Sequence, residues 1–102
     1  MSNNNKNKIA IVTGANKGIG YAIVKNLKDN FDGIIYLTAR NENLGKKAAL
    51  SLDENGSKVK FHRLDVKDIE SINNFKSYIS NNHDGIDILI NNAGIVCNVI
   101  IW

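Results

Sequence analysis

A short apolar run, Ile9-Ala10-Ile11-Val12, passes straight into Thr13-Gly14-Ala15-Asn16-Lys17-Gly18-Ile19-Gly20, and that segment opens onto an amphipathic stretch. Few folds accommodate a strand that turns through three glycines into a helix. The turn gathers backbone N–H groups and the positive end of a helix dipole, and glycines remove the Cβ atoms that would hold a phosphate away. It therefore has the chemistry of a phosphate cradle at the strand-end edge of an α/β sheet. The spacing is Gly-x-x-x-Gly-x-Gly, and no Gly-Lys-Ser/Thr follows, which excludes the nucleoside-triphosphate loop built on that tripeptide. Standing alone, the segment also fits an ordinary glycine turn.

The rest of the chain repeats the alternation. Ile34-Ile35-Tyr36-Leu37 and Ile86-Asp87-Ile88-Leu89-Ile90 are of strand length and mostly apolar throughout, as parallel strands covered on both faces require. Val59-Lys60-Phe61-His62-Arg63 alternates, which fits a sheet edge with one face less covered. Between these runs, Ile19, Ala22, Ile23 and Leu27 recur at helical spacing. So do Leu44, Ala48 and Leu52, with Gly56 as a stop, and Ile69, Ile72, Phe75 and Ile79, with Asp68 as an N-cap. The order β-α-β-α-β-α-β with short connections predicts an α/β fold, a doubly wound parallel sheet in strand order 3-2-1-4. The first two helices then cover one face and the third covers the other. The strand at 86–90 falls at an open edge, which is a pairing hazard.

At 102 residues and 43% apolar content the chain suits one domain. The single Cys97 cannot form an internal disulfide, and no apolar run approaches the roughly 18 residues of a membrane span, so a cytoplasmic protein without a membrane partner is expected. Residues 1–8 form a polar tail without the apolar centre of a secretory signal, and Ser2 stands where N-myristoylation requires glycine. The net charge of +3 rests on eleven Lys and two Arg, which accompany seventeen Asn and no Pro. An AT-rich coding sequence produces that joint bias. The lysines are scattered among acids without interleaved aromatics, so no nucleic-acid partner is expected. His62, His83 and Cys97 are paired with no nucleophile, and no His, Cys and carboxylate cluster has metal-ligand spacing.

Three motifs stand in order: Thr13-Gly14-x-x-x-Gly18-x-Gly20 after the first strand, Asp65-Val66 after the third, and Asn91-Asn92-Ala93-Gly94 closing the fourth. Together they resemble the short-chain dehydrogenases/reductases. The wider wording, with Leu37-Thr38-Ala39-Arg40 and Phe61-His62-Arg63-Leu64-Asp65-Val66, is similar to the NADPH-dependent carbonyl reductases of that family. The resemblance runs from Ile9 to about Ile95. It implies the first half of a Rossmann-type NAD(P)-binding domain over residues 9–95, followed by an apolar tail, 96–102, that does not match the family. It assigns Gly14, Gly18, Ile19 and Gly20 to the pyrophosphate turn, with Asn16 beside them. Asp65 and the backbone of Val66 go to the adenine, and Asn92 to the ribose side and the support of the fourth strand. Read from the residues alone, Asp65 also fits a turn, and so do Asn91 and Asn92 in so Asn-rich a chain.

An NAD enzyme places a carboxylate about 20 residues beyond its glycine loop to hold the ribose 2′-hydroxyl. Here Thr38, Ala39 and Arg40 follow the second strand. Arg40 offers a planar fork to a 2′-phosphate and Lys17 a second positive charge, so NADP(H) is the expected cofactor, with Glu42 a nearby hydroxyl acceptor on the other side of the question. The resemblance further implies hydride transfer to a small-molecule carbonyl: an aldehyde, ketone or quinone. In that chemistry a Tyr delivers the proton, a Lys four residues later lowers its pKa, and a Ser orients the carbonyl. The pair Tyr21-Ala22-Ile23-Val24-Lys25 follows the glycine loop directly, at the pyrophosphate end of the cofactor, and reads as a helix face. No catalytic residue is assigned, and the chain by itself is expected to be inactive. Its tail is expected to come from a truncated or misjoined reading frame, and its apolar edge to promote aggregation. A fragment of a hydroxysteroid or polyol dehydrogenase of the same family, and a non-catalytic nucleotide-binding module, are the other readings.

Overall fold

A computed structural model describes residues 7–93 of the chain. The expectations placed on Gly94, Ile95, Cys97 and the tail at 96–102 lie outside the described residues. The elements run β1 Lys8–Val12, α1 Gly18–Asn30, β2 Gly33–Ala39, α2 Glu42–Leu52, β3 Val59–Arg63, α3 Ile69–Asn82 and β4 Ile88–Ile90. Every strand pair is parallel and the order is β3-β2-β1-β4, the doubly wound arrangement that the alternation predicts. Val12 pairs with Leu37 on one side and with Ile90 on the other, while Ala39 pairs with Arg63. This register brings the loops that leave the strands to one edge of the sheet.

Alternate residues of a strand face opposite sides, and each side of this sheet has its own core. Ala10, Val12, Ile35 and Leu37 pack with Val24 of α1 and with Ala48 and Ala49 of α2. On the other side Ile9, Ile11 and Tyr36 pack with Ile72, Phe75 and Ile79 of α3. Phe75 is fully buried, and truncating a core phenylalanine to alanine costs about 3–5 kcal/mol. Among the described residues no helix is long and apolar enough to cross a membrane.

The helical stripes differ from the predicted ones in their first turns. Ile19, Leu44 and Ile69 are exposed, each in the first turn of its helix on the side turned away from the sheet. Burial starts one or two residues later, at Gly20 in α1, Gly45 in α2 and Ser71 in α3. Ala22 is exposed as well, and Val24 takes its expected place in the core. α2 stops at Leu52, ahead of Gly56. The Asp53 carboxylate accepts from the N–H groups of Lys58 at 2.7 Å and Val59 at 3.0 Å and so turns the chain into β3. These bonds hold its carboxyl below the ordinary range. α3 starts where expected, with the Asp68 side chain accepting from Glu70 N–H at 3.0 Å.

The run at 86–90 pairs as a strand only over Ile88–Ile90. Asp87 interrupts its apolar character because its carboxylate accepts from Ile9 N–H at 2.8 Å, while its own N–H donates to the Ile9 carbonyl. The polar residue lengthens the junction with β1. Among the described residues β4 is an edge strand, and Leu89 is exposed on it.

Candidate functional site

Loops leaving all four strands enclose a cleft of about 480 Å³. Gly14, Asn16, Lys17 and Gly18 line it from the β1 loop and Arg40 from the β2 loop. Asp65 and Val66 line it after β3, and Asn92 after β4. Of the residues expected at a cofactor, only Ile19 and Gly20 are not on its wall. Gly20 is buried beneath the loop, and the Ile19 side chain is 74% exposed, so what these two offer is main chain at the helix start. Leu64, Lys67 and Ala93 also line the cleft and were not expected. The available signal for Lys67 is its place two residues beyond Asp65, on the same strand end.

Hydrogen bonds between the strand ends hold the cleft's shape. Thr13, fully buried, donates from Oγ1 to Asn91 Oδ1 at 2.9 Å and accepts from the N–H groups of Asn92 at 2.9 Å and Ala93 at 3.1 Å. One hydroxyl thereby ties the end of β1 to the segment after β4. The Asn92 amide donates to the Gly14 carbonyl at 3.1 Å, so this side chain supports the glycine loop directly. Between β1 and β2, Thr38 Oγ1 donates to the Val12 carbonyl and Ala15 N–H to the Thr38 carbonyl, each at 2.9 Å. Arg63 Nε donates to the Arg40 carbonyl at 2.9 Å and fixes the second loop.

Two glycines are required by this geometry. A Cβ on Gly20 would lie 2.6 Å from the Gly14 carbonyl oxygen and 2.8 Å from Ala15 Cα, contacts that backbone atoms cannot yield. Gly18 has φ +63, in the left-handed region, and nothing stands within 4 Å of where its Cβ would be. There the constraint is conformation, and open space lies above it. In the third loop, Asp65 Oδ1 accepts from Lys67 N–H at 3.0 Å and Asp65 N–H donates to Ser71 Oγ at 2.9 Å. Asp65 is thus a turn aspartate that also lines the cleft.

The electrostatics favour an anion. α1 starts from Lys17 without a side-chain cap and without an acid in its first turn. Lys17, Arg40 and Lys67 face the cleft with one carboxylate, Asp65. Among the described residues the only ion pair joins Lys46 to Glu42 at 2.9 Å, which leaves these three cations without a carboxylate partner. Val66 and Leu64 add apolar wall. The Tyr21 hydroxyl instead bonds to Ser51 Oγ at 2.7 Å, between α1 and α2, and neither Tyr21 nor Lys25 lines the cleft. His83 Nε2 lies 2.8 Å from the Tyr36 hydroxyl, and His62 packs against Phe75 and Tyr78. Both histidines belong to the packing under α3. Burial, with Lys60 nearby, lowers the His83 pKa. Among the described residues no group of three or more His, Cys, Asp or Glu could hold a metal.

A glycine turn at a strand end, an uncapped helix start and an Asn brace from beyond the fourth strand frame a cleft at the strand-end edge of a doubly wound fold. The chain belongs to the short chain dehydrogenase family, whose model matches residues 8–101. That match runs past Ile95 through most of the apolar segment 96–102, which was expected not to match the family. The chain is 45% identical over 89 residues to carbonyl reductase (NADPH) 1 of Bos taurus, covering 87% of this chain and 32% of that one. Among solved structures it is similar to menthone neomenthol reductase from Mentha piperita, with a TM-score of 0.81 and 36% identity over 88% of this chain and 32% of that one. A metagenomic short-chain oxidoreductase in complex with NADP superimposes with a TM-score of 0.75 at 31% identity, covering 86% of this chain and 39% of that one. The chain therefore spans about a third of the length of the curated relatives it matches.

Proposed function

We propose that this cleft holds NADP(H) and forms the cofactor-binding part of a cytoplasmic carbonyl reductase that acts on aldehydes, ketones or quinones. The observation that carries the reading is the uncapped start of α1, which opens on a cleft where three cations lack partners. Gly14, Asn16 and Gly18, with the main-chain N–H groups of Ile19 and Gly20, take the pyrophosphate. The second carboxylate oxygen of Asp65 and the main chain of Val66 take the adenine. Arg40 and Lys17 take the 2′-phosphate, Arg40 through its planar fork. Asn92 braces the loop on the ribose side through its bond to Gly14. The bound nucleotide supplies the hydride. The similarity to carbonyl reductase (NADPH) 1 and to a relative solved with NADP supports both cofactor and reaction class.

The described residues place no Tyr and Lys pair on the cleft, so the 102-residue chain is expected to bind nucleotide without turning over a carbonyl substrate. The test is a titration of this chain with NADPH and with NADH, followed by amide chemical shifts. NADPH is expected to bind at least about tenfold tighter than NADH, the effect of roughly one charge-assisted bidentate contact. The shifts should centre on Gly14, Gly18, Arg40 and Asp65. Equal affinity for the two nucleotides would overturn the choice of NADP(H), and an absence of shifts at millimolar nucleotide would overturn the site.

A further inference from the structure

The first three strand-end loops each place one cation on the cleft: Lys17 after β1, Arg40 after β2 and Lys67 after β3. The first two were expected there from their positions in the sequence. Lys67 was not, and its setting differs. Its N–H donates to Asp65 Oδ1 at 3.0 Å, and the next residue, Asp68, accepts from Glu70 N–H at 3.0 Å at the start of α3. The main chain of Lys67 is therefore pinned between a turn and a helix cap. The residue lines the cleft, and its ammonium group is not ion-paired among the described residues.

We infer that Lys67 is a specificity-determining residue of this cleft, a third cation that selects a nucleotide carrying an additional phosphate monoester on its adenosine end over one that lacks it. The inference rests on the nucleotide reading above and goes beyond it in naming Lys67. A neutral adenosine and a pyrophosphate can be held by the main-chain N–H groups of the α1 start and by Asp65. Three positive charges, Lys17, Arg40 and Lys67, are then left over in a cleft whose only lining acid already accepts a main-chain bond. A monoester carries close to two negative charges at neutral pH. Arg40 engages such a group directionally, whereas a lysine acts as a compact charge on a flexible stem and needs only to come within the roughly 8 Å over which charge is felt at physiological salt.

The probes are 2′,5′-ADP, which carries the additional monoester, and 5′-AMP, which does not. Both fall within the part of the cleft that this chain supplies. Amide-shift titrations of the 102-residue chain give the ratio of their dissociation constants, in the unmodified chain and in Lys67→Gln, Lys67→Arg and, as a control for bulk charge, Lys25→Gln on the outer face of α1. Lys67→Gln is expected to cut the preference for 2′,5′-ADP about threefold to tenfold while leaving 5′-AMP affinity within about twofold, as for a partly exposed charge pair. Lys67→Arg should retain the preference and Lys25→Gln should leave it unchanged. A merely structural lysine would move both affinities together, and that result overturns the inference. So does an unchanged ratio in Lys67→Gln, with the nucleotide reading intact. If the unmodified chain binds neither probe, the nucleotide reading falls and this inference with it.

Discussion

α2 and α3 finish their own starts, and α1 does not. Asn41 Oδ1 takes the Leu44 N–H at 2.9 Å and Asp68 Oδ1 takes the Glu70 N–H at 3.0 Å, and Glu42 and Glu70 sit in the first turns where the dipole favours a negative charge. α1 begins at Lys17, extended at φ −159 and ψ 172, with no side-chain bond and no first-turn acid. A cap contributes about 0.5–2 kcal/mol and a well-placed acid about 0.3–1 kcal/mol. The helix that forgoes both also carries a cation where the dipole is already positive. Two helix starts are thus closed by their own side chains, and one is left open. What holds α1 in place is its neighbours: Val24 in the core beneath it and the glycine loop braced by Asn92.

The sharpest way to break that contrast is to remove the brace. In Thr13→Val the shape is kept, but the N–H groups of Asn92 and Ala93 lose their acceptor and Asn91 Oδ1 loses its donor. Thr13 is fully buried, so water does not readily replace the hydroxyl. A loss of about 2–4 kcal/mol is expected from leaving such groups unsatisfied, measured by urea unfolding. The damage should concentrate at the start of α1 and after β4, leaving the starts of α2 and α3 intact. Uniform loosening of all three helices would show that α1 has no special dependence on Thr13.

A second change exchanges the two designs. Lys17→Asp with Ile19→Glu gives α1 the cap and first-turn acid that its neighbours have, at a position whose backbone is already in the extended conformation an N-cap requires. Thermal unfolding should show a gain of about 0.5–1 kcal/mol, and NADPH affinity should fall by more than about tenfold. Asn41→Ala does the opposite at α2, with a loss of about 1 kcal/mol and no effect on nucleotide. If the exchanged α1 binds nucleotide as well as before, its open start has no part in binding.

Much of this was legible in the sequence, and the part that was not has a physical cause. The strand order and the division of the helices between two faces followed from apolar runs alternating with helical stripes, a signal that survives errors of a residue or two. The stripes failed at Ile19, Leu44 and Ile69, because periodicity marks an apolar face but not how each turn of the helix is seated on the sheet. Gly14, Gly18, Arg40, Asp65 and Asn92 line one cleft, a grouping that the resemblance implies and that no single motif shows by itself. The brace at Thr13 was invisible for a different reason: it joins residues 78 to 80 positions apart through one hydroxyl, and no local pattern marks it. Asp87 was hidden in the same way, a single carboxylate whose use depends on β1 lying beside it.

The smallest effect tests the acidic half of the comparison. Glu42 in the first turn of α2 bonds to Lys46 one turn on, at 2.9 Å, and that bond, with the attraction between the two charges, lowers its pKa below the ordinary 4.5. A carboxyl whose pKa is lower in the folded chain than in the unfolded one binds its proton more weakly when folded. Its contribution is therefore fully present above pH 4.5, declines below it and is lost as the pH falls through the folded value. Both side chains are more than half exposed, so solvent and salt screen the pair and the change stays local. Acidification should loosen residues 42–45 in their Cα chemical shifts, with a midpoint below pH 4.5, and added salt should weaken the transition. Glu42→Gln should abolish it. α1, which has no first-turn acid to titrate, should pass through the same range without an equivalent change at its start. A matching transition there would mean that the contrast between the helix starts does not lie in their first-turn charges.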